Sequence, residues 1–267
     1  MVKVPRRTKK ARKAPRPGDS MPLLEHLREL RQRLIVSVIA VALGMALVFV
    51  FYDTVFGWLV APYEDVVCDE GDSAIGECGL LQTDPLEGLS VRIQVAGYGG
   101  AALAMPILLW QIWRFVSPGL YSNEKRYAVP FVGSALLLFM LGAGLAFQTL
   151  PRALEFLGRI GGSDLVQAYS PSKYIQLVAY MMLAFGVGFE IPILLIFLQL
   201  AGIVETDTLR HNRRYAIVII AILVAVLTPS GDPYSMVVLM VPMVVFYELS
   251  ILVGARVLRR QAARTAP

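Results

Sequence analysis

The stretch LIVSVIAVALGMALVFVFY, Leu34–Tyr52, decides the fold, because none of its nineteen residues carries a charge. A helix rises about 1.5 Å per residue, so about 20 apolar residues cross the ~30 Å hydrocarbon core of a bilayer. Ala128–Leu150 and Met236–Ala255 are apolar runs of similar length. Hydrophobic residues make up 56% of the chain, and its mean hydropathy is +0.61. The sequence therefore predicts an all-α integral membrane protein.

The distribution of charge predicts the topology. Val2–Arg33 carries eleven Lys and Arg, whereas Asp53–Ser90 carries nine acidic residues and no basic one. The later basic residues occupy alternate gaps between the apolar runs: Arg114, Lys125 and Arg126; Arg210, Arg213 and Arg214; Arg256, Arg259, Arg260 and Arg264. Basic loops stay on the cytoplasmic side, so both termini are expected there. The net charge of +5 then reflects membrane topology, and no nucleic-acid partner is expected.

Six transmembrane helices fit this pattern. They are Leu34–Tyr52, Ile93–Trp113, Ala128–Leu150, Tyr174–Leu200, Tyr215–Thr228 and Met236–Ala255. The last two are expected to form a short hairpin around the Thr228–Tyr234 turn, because fourteen residues do not cross ~30 Å. A truncated hairpin predicts a concave surface.

The flanking segments complete the domain organisation. Residues 1–20 are interpreted as a basic disordered cytoplasmic tail, residues 21–257 as the membrane domain, and residues 258–267 as a short basic tail. Leu23, Leu27, Leu30 and Leu34 recur on one helical face, which predicts a helix along the membrane interface before the chain bends into the bilayer.

No catalytic set is recognisable in the sequence. His26 and His211 are expected on the cytoplasmic side, while Cys68 and Cys78 are expected outside, so no Cys–His pair forms. Zinc-protease and nucleotide-binding motifs are also missing. We therefore predict no enzyme, no metal site and no cofactor. The two cysteines share one exported loop, which favours a disulfide over two free thiols.

Four carboxylates have both a functional and a structural interpretation. Glu190 lies inside a span, where it serves as a docking point or proton site, or binds a carbonyl freed by Pro192. Glu29 and Glu124 form a cytoplasmic pair that accepts two guanidinium groups, or Glu124 simply starts a helix. Glu248 pairs near the membrane interface or has a function. For Glu190 the functional interpretation is favoured, because carboxylates inside a membrane usually have a function. For Glu29 with Glu124, and for Glu248, the residues alone do not choose between the alternatives.

Five motifs together resemble those of the TatC family, the six-span core subunit of the twin-arginine protein translocase. They are HLRELRQRL at His26–Leu34, FVSPGLY at Phe115–Tyr121 followed by Glu124, FGVGFEIP at Phe185–Pro192, the Thr228-Pro229 turn with Asp232, and Val241-Pro242 leading to Glu248. The resemblance covers nearly the whole chain from Leu23 onward. It implies a glove-like bundle that recognises the Arg-Arg pair in signal peptides of folded export substrates.

The resemblance also implies partners and site residues. The partners would be single-span TatA- and TatB-type subunits and further copies of the chain, with transport across the cytoplasmic membrane driven by the proton-motive force. Glu29 and Glu124 would read the two arginines. The cytoplasmic site around them would be shaped by Arg31, Phe115, Pro118, Leu120 and Tyr121. Glu190, with Pro192, would meet a polar residue of a partner helix. Pro62 and Thr83–Glu87 match an outer loop implicated in self-contact and partner contact.

The last outer turn departs from the family pattern, T-P-P-D-x-x-S-Q. It has one extra residue, and Met236 stands where the pattern has Gln, so the role of Asp232 is left open. Two other functions remain as alternatives. A proton-coupled small-solute transporter using Glu190 would be expected to show internal repeats, and none is visible. A purely structural scaffold would not explain why Glu29 and Glu124 share the cytoplasmic face.

Overall fold

The computed structural model describes residues 23–67, 79–116, 128–160, 169–200 and 202–265. These ranges contain helices and no strand. The helices are α1 Leu23–Val50, α2 Tyr52–Val67, α3 Glu87–Val116, α4 Ala128–Ile160, α5 Pro171–Leu200, α6 Thr206–His211, α7 Arg213–Leu227 and α8 Pro233–Thr265. Within them, five helices (α1, α3, α4, α5 and α8) are long and apolar enough to cross a membrane. The predicted all-α fold is confirmed.

The first helix differs from the prediction. The sequence suggested an interfacial helix that bends into the first span, but α1 is one unbroken helix from Leu23 to Val50. Its apolar stretch begins at Leu27, so the charged residues of the first turns belong to the same helix as the span. No Pro or Gly lies between residues 23 and 43 to interrupt the backbone hydrogen bonds.

Helix α2 lies in the segment that the sequence analysis treated as an outer loop. It is held to the bundle by aromatic contacts: Trp58 stacks on Phe147 of α4 with ring centroids 4.3 Å apart. Tyr63, 1% exposed, meets Tyr174 of α5 edge-on at 5.5 Å. Pro62 is buried inside this helix. The prediction of a loop is wrong here, because tertiary packing stabilises a short helix that lacks a long apolar run.

The last two helices are unequal. Helix α7 has 15 residues and is short, as predicted. Helix α8 has 33 residues, so the prediction that the last helix is also short is wrong. It begins at Pro233, continues through Pro242 and runs past residue 257, where the C-terminal tail was expected to begin. Proline is favourable in the first turn of a helix, where its missing N–H is not needed. Inside a membrane helix, contacts with neighbouring helices compensate for the backbone hydrogen bond that a proline removes.

Two pairs of neighbouring helices meet through glycine. A side chain on Gly44 of α1 would approach the Gly100 carbonyl oxygen of α3 to 2.6 Å. A side chain on Gly142 of α4 would approach the Phe185 carbonyl oxygen of α5 to 2.5 Å. Small residues allow such close backbone approach, which is how membrane helices gain van der Waals contact without a hydrophobic driving force.

Contacts between helix termini define the two ends of the bundle. At one end, Trp113 of α3 meets Phe197 of α5, and Gln199 of α5 donates to the Ser250 carbonyl oxygen of α8. We call this the basic end, since its described residues include Arg28, Arg33, Arg114, Arg213 and Arg214. The other, acidic end holds α2 together with Asp53, Glu64, Asp65, Asp84, Glu87 and Asp232.

Candidate functional site

Glu29 lies at the basic end, on the second turn of α1. Its side chain is 29% exposed, and its Oε1 atom accepts a hydrogen bond from Nη2 of Arg33, one helical turn further along. Nη1 of Arg33 donates to the Gln111 carbonyl oxygen of α3 at 3.4 Å. The predicted site residue is therefore linked through an arginine to the neighbouring helix. The sequence analysis did not assign that role to Arg33.

An aromatic cluster supports the basic end beside Glu29. Trp113, 5% exposed, lies 4.3 Å from Phe131 of α4 and 6.1 Å from Phe197 of α5 between ring centroids. This cluster holds the end of α3 against the start of α4. Phe115 follows Trp113 on the last turn of α3 and is partly buried.

The remaining predicted residues of this site divide into two groups. Arg31 is exposed on α1. Pro118, Leu120, Tyr121 and Glu124 lie outside the described residues, as do Cys68 and Cys78 with their predicted disulfide. Their predicted roles, and the pairing of Glu29 with Glu124, stay predictions.

Glu190 lies on α5, two residues before the buried Pro192. Its side chain is partly exposed, and its Oε1 atom is buried without a hydrogen-bond partner in the described part of the chain. The structural alternative required a bond to a carbonyl freed by Pro192, and this oxygen makes none. A buried carboxylate oxygen without a partner is costly in an apolar medium, so it is a functional candidate.

Glu87 organises the acidic end. Its carboxylate accepts hydrogen bonds from the Thr83 backbone N–H at 2.9 Å, from the Ser172 N–H at 3.3 Å and from the Ser170 hydroxyl. The Leu81 N–H donates to the Tyr169 carbonyl oxygen at 3.1 Å. The Thr83–Glu87 segment, which the sequence analysis singled out, is thereby attached to the start of α5. The sequence analysis did not predict the contacts of Glu87 with Ser170 and Ser172.

The structure gives Asp232 a structural role. It is fully buried, its Oδ1 accepts a hydrogen bond from the Ser235 N–H at 2.6 Å, and the Ser230 hydroxyl donates to Oδ2. The Met236 N–H donates to its carbonyl oxygen at 3.1 Å. Asp232 is therefore the N-cap of α8, with Pro233 in the first helical position. In this chain the turn with the extra residue thus caps α8.

Two polar contacts fasten the α6–α7 segment to α8. Arg213 pairs with Glu248 at 2.9 Å, and the Tyr247 hydroxyl donates to the Leu209 carbonyl oxygen at 2.8 Å. Glu248 therefore forms an ion pair with the first residue of α7, and its position relative to the membrane interface stays a prediction. Both side chains of the pair are about half exposed, which limits its contribution to stability.

Comparisons with known proteins agree with the geometry. The family profile described as Sec-independent protein translocase protein (TatC) matches residues 25–242. The chain belongs to the TatC family. It is 39% identical to the Sec-independent protein translocase protein TatC of Aquifex aeolicus over 244 residues, covering 90% of this chain and 98% of that one. It is also 39% identical to the protein of the same name from Frankia casuarinae over 248 residues, covering 91% of this chain and 68% of that one.

Two solved structures agree with the TatC assignment. A crystal structure of the twin arginine translocase receptor TatC is similar with a TM-score of 0.68, 38% identity, and coverage of 86% of this chain and 98% of that one. A second, in DDM, gives a TM-score of 0.69, 38% identity, and coverage of 86% and 99%. The chain is therefore a multi-pass membrane component of a protein translocase rather than an enzyme. Family membership favours this function over a small-solute transporter.

Proposed function

We propose that this TatC protein recognises Arg-Arg signal peptides of folded proteins. It then nucleates assembly with TatA- and TatB-type subunits for export driven by the proton-motive force. Further copies of the chain join the same receptor complex. The protein lies in the cytoplasmic membrane with six spans forming a glove-like concave surface. The position of Lys and Arg in alternate loops supports a cytoplasmic location for both termini and for the basic end.

The observation that carries the proposal is the position of Glu29. Its carboxylate lies at the basic end, is partly accessible, and already binds a guanidinium group, that of Arg33. A carboxylate in this setting binds a peptide arginine through charge-assisted hydrogen bonds, whose paired geometry a lysine does not reproduce. Glu124 would bind the second arginine. The site is completed by Arg31, Phe115, Pro118, Leu120 and Tyr121.

The partner helix would dock at Glu190. The oxygen that lacks a hydrogen-bond partner among the described residues accepts one from a polar side chain of that helix. Pro192 removes one backbone N–H from the same part of α5, which leaves a carbonyl available to the partner. Partner docking therefore satisfies polar groups of α5 that the described part of the chain leaves unsatisfied inside the membrane.

Peptide binding to purified protein in detergent or nanodiscs tests the signal site. We expect Glu29→Gln and Glu124→Gln each to weaken binding of an Arg-Arg peptide by about tenfold or more, since a hydrogen bond to a charged group contributes roughly 1.5–3 kcal/mol. Glu205→Gln is the matched control, because Glu205 is an exposed carboxylate at the same end. Equal, small effects of all three substitutions would contradict the proposal that Glu29 and Glu124 bind the signal peptide.

A further inference from the structure

The carboxylate proposed to read a peptide arginine is already occupied by an arginine of its own helix. Oε1 of Glu29 accepts from Nη2 of Arg33, and Nη1 of the same guanidinium donates to the Gln111 carbonyl oxygen. The group bound there is chemically identical to the group that the site is proposed to recognise. An incoming guanidinium therefore meets Glu29 with one of its two oxygens engaged.

The internal guanidinium is more enclosed than the carboxylate that it binds. The side chain of Arg33 is 13% exposed and that of Glu29 is 29% exposed. The Nε atom of Arg33 is buried and lacks a hydrogen-bond partner among the described residues. The arginine is thus held between α1 and α3 with its donors only partly satisfied, while Glu29 stays accessible to a ligand.

We propose that Arg33 is an internal competitor for the signal-peptide arginine at Glu29. The inference rests on the proposed function, because it concerns regulation of the same site. A carboxylate forms a two-pronged bond with one guanidinium at a time. The peptide must therefore displace Arg33 from Oε1 to gain that geometry. Arg33 keeps its contact with the α3 carbonyl when this happens.

The competition raises the interaction energy that a ligand needs in order to bind Glu29. A peptide guanidinium replaces the Arg33–Glu29 hydrogen bond with one of the same kind, and it adds a second hydrogen bond to the other carboxylate oxygen. A lysine ammonium is a strongly hydrated point charge that cannot match both prongs, so arginine binds Glu29 more tightly than lysine with or without Arg33. Any ligand that displaces Arg33 meets the same cost, so the competition lowers affinity without changing the ratio of two affinities.

Peptide titrations on variants of the full chain test the competition. We expect Arg33→Gln to tighten binding of an Arg-Arg peptide roughly two- to fivefold, as expected for loss of a partly exposed competing ion pair. A Lys-Lys peptide that displaces Arg33 should gain by a similar factor, because it meets the same cost of breaking the Arg33–Glu29 bond. Arg33→Lys keeps the charge but lacks the planar group, and we expect a smaller gain in the same direction.

The matched control is Arg28→Gln, which removes one positive charge from an exposed position on the same helix. Equal tightening in Arg28→Gln and Arg33→Gln would overturn the proposal, because a general field effect would explain both. Unchanged or weaker binding in Arg33→Gln would also overturn it, and would assign Arg33 to holding Glu29 in place. If Arg33→Gln does not fold, the direction of the change in Arg33→Lys decides the question.

Glu29→Gln separates failure of this inference from failure of the proposed function. If Glu29→Gln leaves peptide binding unchanged, the proposed recognition site itself is wrong. If Glu29→Gln weakens binding and Arg33→Gln does not strengthen it, only the competition is refuted. In the double variant Glu29→Gln/Arg33→Gln, we expect no gain relative to Glu29→Gln, because the contested carboxylate is gone.

Discussion

The contact between α1 and α3 predicts a large difference between two glycine substitutions on one helix. A Cβ atom at Gly100 would lie 2.6 Å from the Met45 Cα atom of α1, which is about 0.8 Å closer than the 3.4 Å at which ordinary contact begins. The atoms that it meets belong to the backbone, so no side-chain rotation relieves the overlap. Gly100→Ala must therefore push α1 away from α3.

The expected cost is about 1–3 kcal/mol, the usual range for overpacking a tightly packed interface. In a protein of this size, each kcal/mol lowers the unfolding midpoint Tm by roughly 2–4 °C. Gly97→Ala is the matched control, because nothing lies within 4 Å of a side chain at that position on the same helix. Alanine also favours helix over glycine by about 1 kcal/mol, so the control should match or exceed the wild-type Tm.

Thermal unfolding of the detergent-purified variants measures the difference, and peptide binding adds a functional test. Because α1 carries Glu29, we expect Gly100→Ala to weaken binding of an Arg-Arg peptide, whereas Gly97→Ala leaves it unchanged. Equal Tm values for the two variants would refute the close crossing of α1 and α3. A lower Tm with unchanged peptide binding would refute the dependence of the signal site on this crossing.

Three further predictions concern other parts of the bundle. Asp232→Ala removes the N-cap that binds the Ser235 N–H, and we expect a loss of about 1 kcal/mol in unfolding free energy; an unchanged Tm would contradict the cap. Gly142→Ala overlaps the α5 backbone and should lower Tm, whereas Gly144→Ala has nothing within 4 Å and should not. Equal destabilisation would refute the α4–α5 contact. Glu190→Ala should reduce co-purification of TatA- or TatB-type subunits without changing peptide binding; normal co-purification would contradict partner docking there.

Long uninterrupted apolar runs made most of the helices predictable. A charged side chain is costly in hydrocarbon, so a long stretch without charged residues, such as Leu34–Tyr52, indicates a span. Helix α2 was not predicted, because Gly57 and Pro62 interrupt its apolar pattern and two acidic residues lie in its last turn. Its stability comes from aromatic contacts with α4 and α5. Local composition does not encode such contacts.

The length of α8 was underestimated at both of its ends. The predicted span already ran through Pro242, but it stopped at Ala255, where the basic residues begin, whereas the helix continues to Thr265. The Asp232 cap starts the helix at Pro233, three residues before the apolar run that the sequence analysis counted.

Polar contacts between residues far apart in the chain could not be predicted from the sequence. Arg33 and Gln111 are 78 residues apart, and Glu87 and Ser170 are 83 residues apart. No periodicity or spacing connects residues so far apart in the chain. The sequence did identify Glu29 through its motif, and Glu190 through its position inside a span, where a carboxylate is costly. The partners of those carboxylates depend on how the helices cross.

The account depends most on recognition of two arginines at the cytoplasmic face. The most direct test is site-specific photo-crosslinking from position 123, which keeps the neighbouring Glu124 intact, to an Arg-Arg signal peptide, with a Lys-Lys peptide as the control. We predict a crosslink with the Arg-Arg peptide alone, lost when Glu29→Gln is introduced. Equal labelling by both peptides, or no labelling in membranes that contain the folded protein, would contradict the proposed function.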